Sequence, residues 1–309
     1  VAADGTLAYL RGEASDADRL SLLDRDGTET PLDALPSGTH QTPRLSPDGR
    51  RVAYASDDGS IYVFDRERGT RTRLTFGELD RSPLWTPDGS ALVYHSREGI
   101  RRVSALGGEP TLIAGKPELE TPSSFSPDGA DLVLHYRTET GSFALGRIPA
   151  GGGDVEQLVA ASPGSDWPAL RGEVSPDGRW LAYQSRESGD DHVYLSPYPD
   201  TDRGKWQVSA EGGGMSPLWA PAGDELFYRS VSGTLMRVSV ESGDTPRLGL
   251  PTELFEGSFV FDINRQYDIT PEGRQFLGRV RASAEELPEI VLVVGWGDEL
   301  RRLVGGGSP

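Results

Sequence analysis

Cysteine is absent from this chain, which excludes disulfide bridges, thiol nucleophiles and thiolate-held zinc. The redox compartment stays open, because Cys-free chains occur in reducing and oxidising surroundings alike. Histidine is scarce: His40, His95, His135 and His192 are the four in the sequence. No His-Glu-x-x-His spacing occurs, so a catalytic zinc would need carboxylates gathered from distant segments, and no metal or cofactor is expected. No apolar run approaches the roughly 18 residues of a membrane helix, so these residues are not expected to insert into a membrane. Basic residues are in deficit. With 31 Lys and Arg against 48 Asp and Glu, the formal net charge is −17, a field that repels nucleic acid phosphates and anionic lipid. The opening Val1-Ala2-Ala3-Asp4-Gly5 has no Met, basic segment or apolar segment, and reads as a fragment or mature form.

Turn-forming residues are plentiful, with 39 Gly and 23 Pro, which suits many tight turns and few long helices. The turns recur at a fixed period. Ser46-Pro47-Asp48-Gly49 returns as Thr86-Pro87-Asp88-Gly89, Ser126-Pro127-Asp128-Gly129, Ser175-Pro176-Asp177-Gly178, Ala220-Pro221-Ala222-Gly223 and Thr270-Pro271-Glu272-Gly273, with a worn copy at Ala2-Ala3-Asp4-Gly5. The spacing of about 45 residues is that of one four-stranded propeller blade. Pro fixes φ at the second position of the turn and Gly takes the left-handed conformation that closes it, so each copy joins two antiparallel strands. An apolar residue precedes each full copy (Leu45, Trp85, Phe125, Val174, Trp219, Ile269). Runs such as Val52-Ala53-Tyr54 and Leu181-Ala182-Tyr183 follow, apolar on both faces, as a sheet buried between neighbours requires. Seven copies predict an all-β, seven-bladed β-propeller over residues 1–304 with a Gly-rich tail at 305–309. A six-bladed ring with a composite closing blade is the alternative.

The repeated x-Ser-Pro-Asp-Gly-x-x-Leu-Ala-Tyr pattern resembles the TolB-type, or PD40, subclass of WD40-like propellers. The segments Ser175 to Gly189 and Glu225-Leu226-Phe227-Tyr228-Arg229-Ser230, with Val291-Leu292-Val293-Val294-Gly295-Trp296 near the end, are similar to a narrower set. That set is the C-terminal, extracytoplasmic propeller of bacterial eukaryote-like serine/threonine protein kinases. The resemblance implies a sensor or protein-interaction platform, extracytoplasmic or periplasmic, tethered through an upstream membrane helix. It implies a protein, peptide or small-molecule ligand at one face of the ring, and a monomeric isolated domain.

Two sets of residues are candidates for that face. The links between blades carry Phe76, Glu120, Trp167, Phe259 and Phe261, aromatics and a carboxylate suited to anchoring a partner, or else ordinary loop residues and blade-edge covers. The ends of the second strands place His95, His135, Gln184, Arg229 and Arg279 at equivalent positions. They would form a polar ring near one channel mouth, with the two His sensitive to pH, unless the strands simply turn polar as they leave the core. Acidic pairs such as Asp190-Asp191 match no calcium loop, and Asp24-Arg25-Asp26-Gly27 reads as a hairpin turn.

Enzyme signatures are missing: no Gly-x-Ser-x-Gly elbow, no Gly-x-x-x-x-Gly-Lys phosphate loop, no dinucleotide fingerprint and no kinase His-Arg-Asp or Asp-Phe-Gly. A non-catalytic binding module is therefore expected. The alternatives are a stand-alone TolB-like periplasmic scaffold, and a propeller hydrolase, lyase or gating domain of a peptidase.

Overall fold

Each Pro-Asp-Gly anchor closes a hairpin in the same way. In the first, Gly49 N donates to Ser46 O at 2.7 Å and Ser46 N to Arg51 O at 2.8 Å, joining the strand Gln41–Leu45 to Arg51–Ala55. The computed structural model describes residues 7–11, 18–35, 40–115, 119–160, 169–256, 259–260, 265–280 and 289–293. They form six antiparallel blades. Five are continuous in sequence, beginning with the strands Gln41–Leu45, Arg81–Trp85, Leu119–Phe125, Ala169–Val174 and Met215–Trp219. The sixth is composite: Tyr267–Ile269 and Gln275–Val280 supply its first two strands, Arg19–Asp24 and Glu29–Pro31 the other two. Chain ends are thereby zipped into one sheet, with Leu20 opposite Arg279 and Asp24 opposite Gln275. The segment Asp24 to Gly27 is a hairpin turn, as expected, with Gly27 N donating to Asp24 O at 2.9 Å.

The first strands of successive blades contact one another, which places them around the axis. Ring closure is visible in the anchors. A Cβ added to Gly89 would approach Pro47 of the preceding blade, and the same holds for Gly129 on Pro87, Gly178 on Pro127, Gly223 on Pro176, Gly273 on Pro221 and, closing the circle, Gly49 on Pro271. All six glycines have φ between +66° and +76°, which a Cβ disfavours. Because Pro271 abuts Gly49 directly, no blade fits between the sixth and the first. Six is thus the count, and the composite closing blade is the arrangement adopted. The seventh copy, Ala2 to Gly5, lies outside the described residues, as does 305–309. The strand after it, Leu7–Arg11, pairs with Glu289–Val293 in a separate two-stranded sheet, and its neighbour Arg19–Asp24 joins the sixth blade.

Apolar clusters fill the six gaps between blades. In the run Val52-Ala53-Tyr54, Val52 and Tyr54 pack on Leu20, Leu22 and Leu277 of the sixth blade, while Ala53 turns to Trp85, Leu92 and Tyr94 of the second. The two-sided apolar runs therefore follow from burial against both neighbours. Indole N–H groups fix the innermost strands to each other: Trp85 Nε1 donates to Arg44 O at 3.0 Å and Trp219 Nε1 to Glu173 O at 3.1 Å. These bonds hold the backbone of two residues that face the channel.

A candidate binding pocket at the channel mouth

Every continuous blade carries a β-bulge in its innermost strand, at the end away from the anchor. Pairing runs from Gln41 opposite Ala55 to Arg44 opposite Ala53, and likewise from Arg81 to Leu84, Leu170 to Glu173 and Met215 to Leu218. One extra residue per strand bends the chain toward the axis. At four bulges that residue is left-handed although none is glycine: Thr42 (φ 49°), Ser82 (54°), Arg171 (57°) and Ser216 (56°). Backbone strain of this kind costs about 1–2 kcal/mol per residue and persists only where the surroundings enforce it. Side-chain amides of the preceding blade support two of the bulges. Thr42 N donates to Gln266 Oε1 at 2.9 Å, and Ser216 N to Gln184 Oε1 at 3.3 Å.

Next to the bulges, charged side chains of three blades meet. Arg265 Nη1 meets Glu173 Oε2 at 2.5 Å and Arg265 Nη2 lies 3.8 Å from Asp268 Oδ1. Arg44 Nη1 donates to Arg265 O at 3.1 Å, and Asp268 Oδ2 accepts from Leu45 N at 2.8 Å. Burial pushes the Glu173 carboxyl up, against the pull of Arg265 and Arg44. Loss of solvation opposes the Arg265 charge, but Glu173 and Asp268 more than offset it and its pKa rises. Two cations and two carboxylates from three blades thus form one charge-balanced plug of side chains.

Against the plug lies a pocket lined by Thr42, Ser82, Thr121, His135 and Arg171 together with Arg44, Glu173 and Arg265. It admits a water-sized group over about 20 Å³, room for one or two waters. Thr42 Oγ1, Ser82 Oγ and His135 Nδ1 are buried without a hydrogen-bond partner among the described residues. These residues are only 3%, 4% and 8% exposed, respectively. Arg171 Nη1 donates to Gln184 Oε1 at 2.5 Å and to Ser216 Oγ at 2.8 Å, both neutral acceptors.

The expected ring residues are all buried, but they do not form one cluster. His95 lies against Arg81 (Nε2 to Nη2, 3.5 Å), and Arg81, His95 and Arg171 all act on the charge of His135. Burial first, then these neighbours, pull the His135 imidazole down to about 3, so it is neutral near pH 7 rather than a sensor there. Gln184 joins them through Arg171 and also donates to Asp191 Oδ1 at 2.6 Å. Arg229 stands apart over the Phe259 ring, 5.9 Å from its centroid, and Arg279 pairs with Asp18 at 2.5 Å. Of the link residues, Phe76 is 78% exposed, with Arg73 stacked on it at 4.9 Å, whereas Phe259 is 5% exposed and packs on Phe255, Tyr267 and Phe276 as a core residue. Glu120 lies in the strand Leu119–Phe125, while Trp167 and Phe261 fall outside the described residues. Sequence reading missed Thr42, Ser82, Arg171, Ser216, Arg44, Glu173, Arg265 and Asp268. The signal was available: they stand four, two or five residues before the first residue of an anchor, in the register that faces the axis.

The chain matches no protein-family model. An uncharacterized peptidase, YuxL of Bacillus subtilis (strain 168), is 28% identical over 154 residues, covering 46% of this chain and 21% of that protein. Among solved structures, a TolB-designated protein from Agrobacterium tumefaciens superposes with TM-score 0.65 at 16% identity over 85% of this chain and 97% of its own. TolB from Acinetobacter baumannii gives 0.60 at 22% over 93% and 65%. An oligogalacturonate lyase in complex with manganese gives 0.57 at 17% over 94% and 84%. The lyase and the peptidase-named relative correct the expectation of a non-enzyme: this architecture is shared with enzymes, and missing local signatures exclude little where catalytic groups converge from separate blades. The chain has the fold of the TolB-type β-propellers.

Proposed function

We propose that this propeller binds a protein or peptide partner at the end of the ring where the bulged strands open, as the extracytoplasmic domain of a bacterial receptor serine/threonine kinase. One observation carries the choice of end: a strained, polar, partly unsatisfied pocket sits there against the Arg44, Glu173, Arg265 and Asp268 cluster. The TolB-like fold supports a protein-interaction platform, and the kinase association rests on the resemblance of Ser175 to Gly189 and the segments named with it. In a second reading, favoured by the likeness to a peptidase-named protein, the propeller is one part of a larger hydrolase.

A photo-crosslinking benzoylphenylalanine in place of the exposed Phe76, near the open end, is expected to capture a partner in the native host. The same residue in place of Arg50, at the anchor end, is expected not to. Equal capture from both ends, or none from Phe76, rejects the chosen face. Upstream of the Val1 codon, the native gene is expected to encode a kinase domain and then a membrane helix. A peptidase domain in that gene selects the second reading.

A further inference from the structure

The outermost strand of a blade presents unpaired N–H and C=O groups to any extended chain, and proteins blunt such edges with bulges, short strands or proline. Among the described residues, the outer strands of five blades use those devices. Thr111–Ala114, Glu156–Val159 and Thr252–Glu256 each pair through a register shift. Trp206–Gln207 and Arg247–Leu248 have two residues each, and Glu29–Pro31 has three and ends in proline. The first blade's outer strand, Thr70–Arg73, has none of them. Its four residues are all exposed, include no proline and pair in unbroken register, from Thr70 opposite Asp65 to Arg73 opposite Tyr62. Leu74 N donates to Ile61 O at 2.8 Å, so by alternation Thr70 and Thr72 bond inward, while Arg71 and Arg73 turn their N–H and C=O groups outward.

Arg71 and Arg73 share one face of this strand. Arg71 lies 4.3 Å from the centroid of the Tyr62 ring and acts on the neutral Tyr54 hydroxyl, with no carboxylate within 4 Å among the described residues. Arg73 stacks on Phe76 at 4.9 Å, donates to Ser60 Oγ and Thr75 O, and stands 3.8 Å from Asp58. Both guanidiniums are thus drawn over the blade and its link, leaving the edge itself open. With Arg66 and Arg68 they put four arginines and one glutamate into residues 66–73, in a chain of net charge −17. A second copy does not fit this edge: edge-to-edge pairing sets arginine directly opposite arginine, which destabilises the pair. We propose that the edge takes an extended acidic segment of a protein partner, added as a further strand with carboxylates at alternate positions (Glu-x-Glu) opposite Arg71 and Arg73. Main-chain hydrogen bonds to Arg71 and Arg73 hold the added strand, and the two guanidiniums select its charge pattern. This surface lies on the outer rim and does not rest on the reading of the channel mouth.

The test uses fluorescein-labelled peptides and fluorescence anisotropy with the intact chain at low salt. Thr-Val-Glu-Val-Glu-Val-Thr amide is expected to bind saturably. Its counterpart with lysine for glutamate, and Thr-Val-Glu-Glu-Val-Val-Thr amide, which puts the carboxylates on opposite faces, should each bind more weakly by about tenfold or more, the scale of one lost charge-assisted hydrogen bond. N-methylation of the two glutamates, whose N–H groups face the blade, should cost about tenfold or more, and N-methylation of the valine between them much less. The double variant Arg71→Glu with Arg73→Glu is expected to reverse the choice between the glutamate and lysine peptides, which a change confined to folding would not do. No saturable binding, equal binding of the glutamate and lysine peptides, or equal effects of the two N-methylations overturns the proposal. Capture from Phe76 that survives the double variant belongs to the channel mouth, so the two readings fail separately.

Discussion

Arg265 and Glu173 meet across the central channel, Nη1 to Oε2 at 2.5 Å, although 92 residues separate them in sequence. Each is carried by the innermost segment of a different blade, with another blade between them, so the pair ties together parts of the ring that no sheet connects. Breaking a buried pair leaves the surviving charge without compensation, which costs roughly 3–5 kcal/mol, whereas replacing both partners with apolar groups is often near neutral. Glu173→Gln is therefore expected to lower unfolding stability by about that amount in urea titration. The double variant Glu173→Leu with Arg265→Met should recover most of the loss. A cost below about 1 kcal/mol for Glu173→Gln would show the pair to be solvated.

His135 gives the protein an acid-sensitive term. Its folded pKa, about 3, lies below the unfolded value of about 6.5, so below that value the unfolded chain takes up a proton that the native chain refuses. Stability from this group is fully present above about pH 6.5 and is lost progressively as pH falls toward 3. At pH 5 the loss amounts to about 2 kcal/mol by linkage. Urea unfolding at pH 7 and pH 5 should show that difference in the parent, and His135→Gln should reduce it. An imidazole resonance of His135 that titrates near pH 6.5 would refute the burial argument.

The anchors supply a repair experiment. In four of them the hydroxyl of the first residue donates to the Asp, as Ser175 Oγ does to Asp177 Oδ1 at 2.5 Å, and the same carboxylate accepts a backbone N–H two residues on. Those bonds hold the Asp177 carboxyl below its ordinary range despite the cost of partial burial. The fifth anchor has Ala220 and Ala222 and can make neither. Ala220→Ser with Ala222→Asp is expected to add about 1 kcal/mol of stability, one or two net hydrogen bonds in a preformed turn. Ala222→Asp alone should give part of it, and a loss in the double variant would mean that Ala220 matters for packing instead.

The anchors were legible because one turn chemistry repeats and both neighbours of each blade demand apolar residues. Blade count was harder to read. A worn copy such as Ala2 to Gly5 looks like a seventh start, and nothing local in Arg19–Asp24 announces that it pairs with Gln275–Val280. That pairing is a consequence of ring closure, a global constraint. The candidate site was legible only in its second-strand members, His95, His135 and Gln184. Its other half lies on bulged strands whose left-handed residues are Thr, Ser and Arg, types that signal no bulge, and the charges of the plug come from segments more than 90 residues apart.

Ser82 separates stability from function most sharply. Its φ of 54° disfavours any side chain, and its buried hydroxyl has no partner among the described residues. Relief of the strain and removal of the unpaired group together favour Ser82→Gly by about 2–4 kcal/mol. The greater freedom of glycine in the unfolded chain returns about 1 kcal/mol, and partial hydration of the pocket reduces the gain further. The variant is thus expected to be more stable than the parent by about 1 kcal/mol, and Ser82→Ala by less, since it keeps the strained φ. Both should weaken photo-crosslinked capture of a partner from the Phe76 position. A residue retained for packing alone would behave in the opposite way, losing stability on truncation while leaving binding untouched. Denaturation and crosslinking on the same two variants therefore decide whether the strain at this bulge serves the pocket.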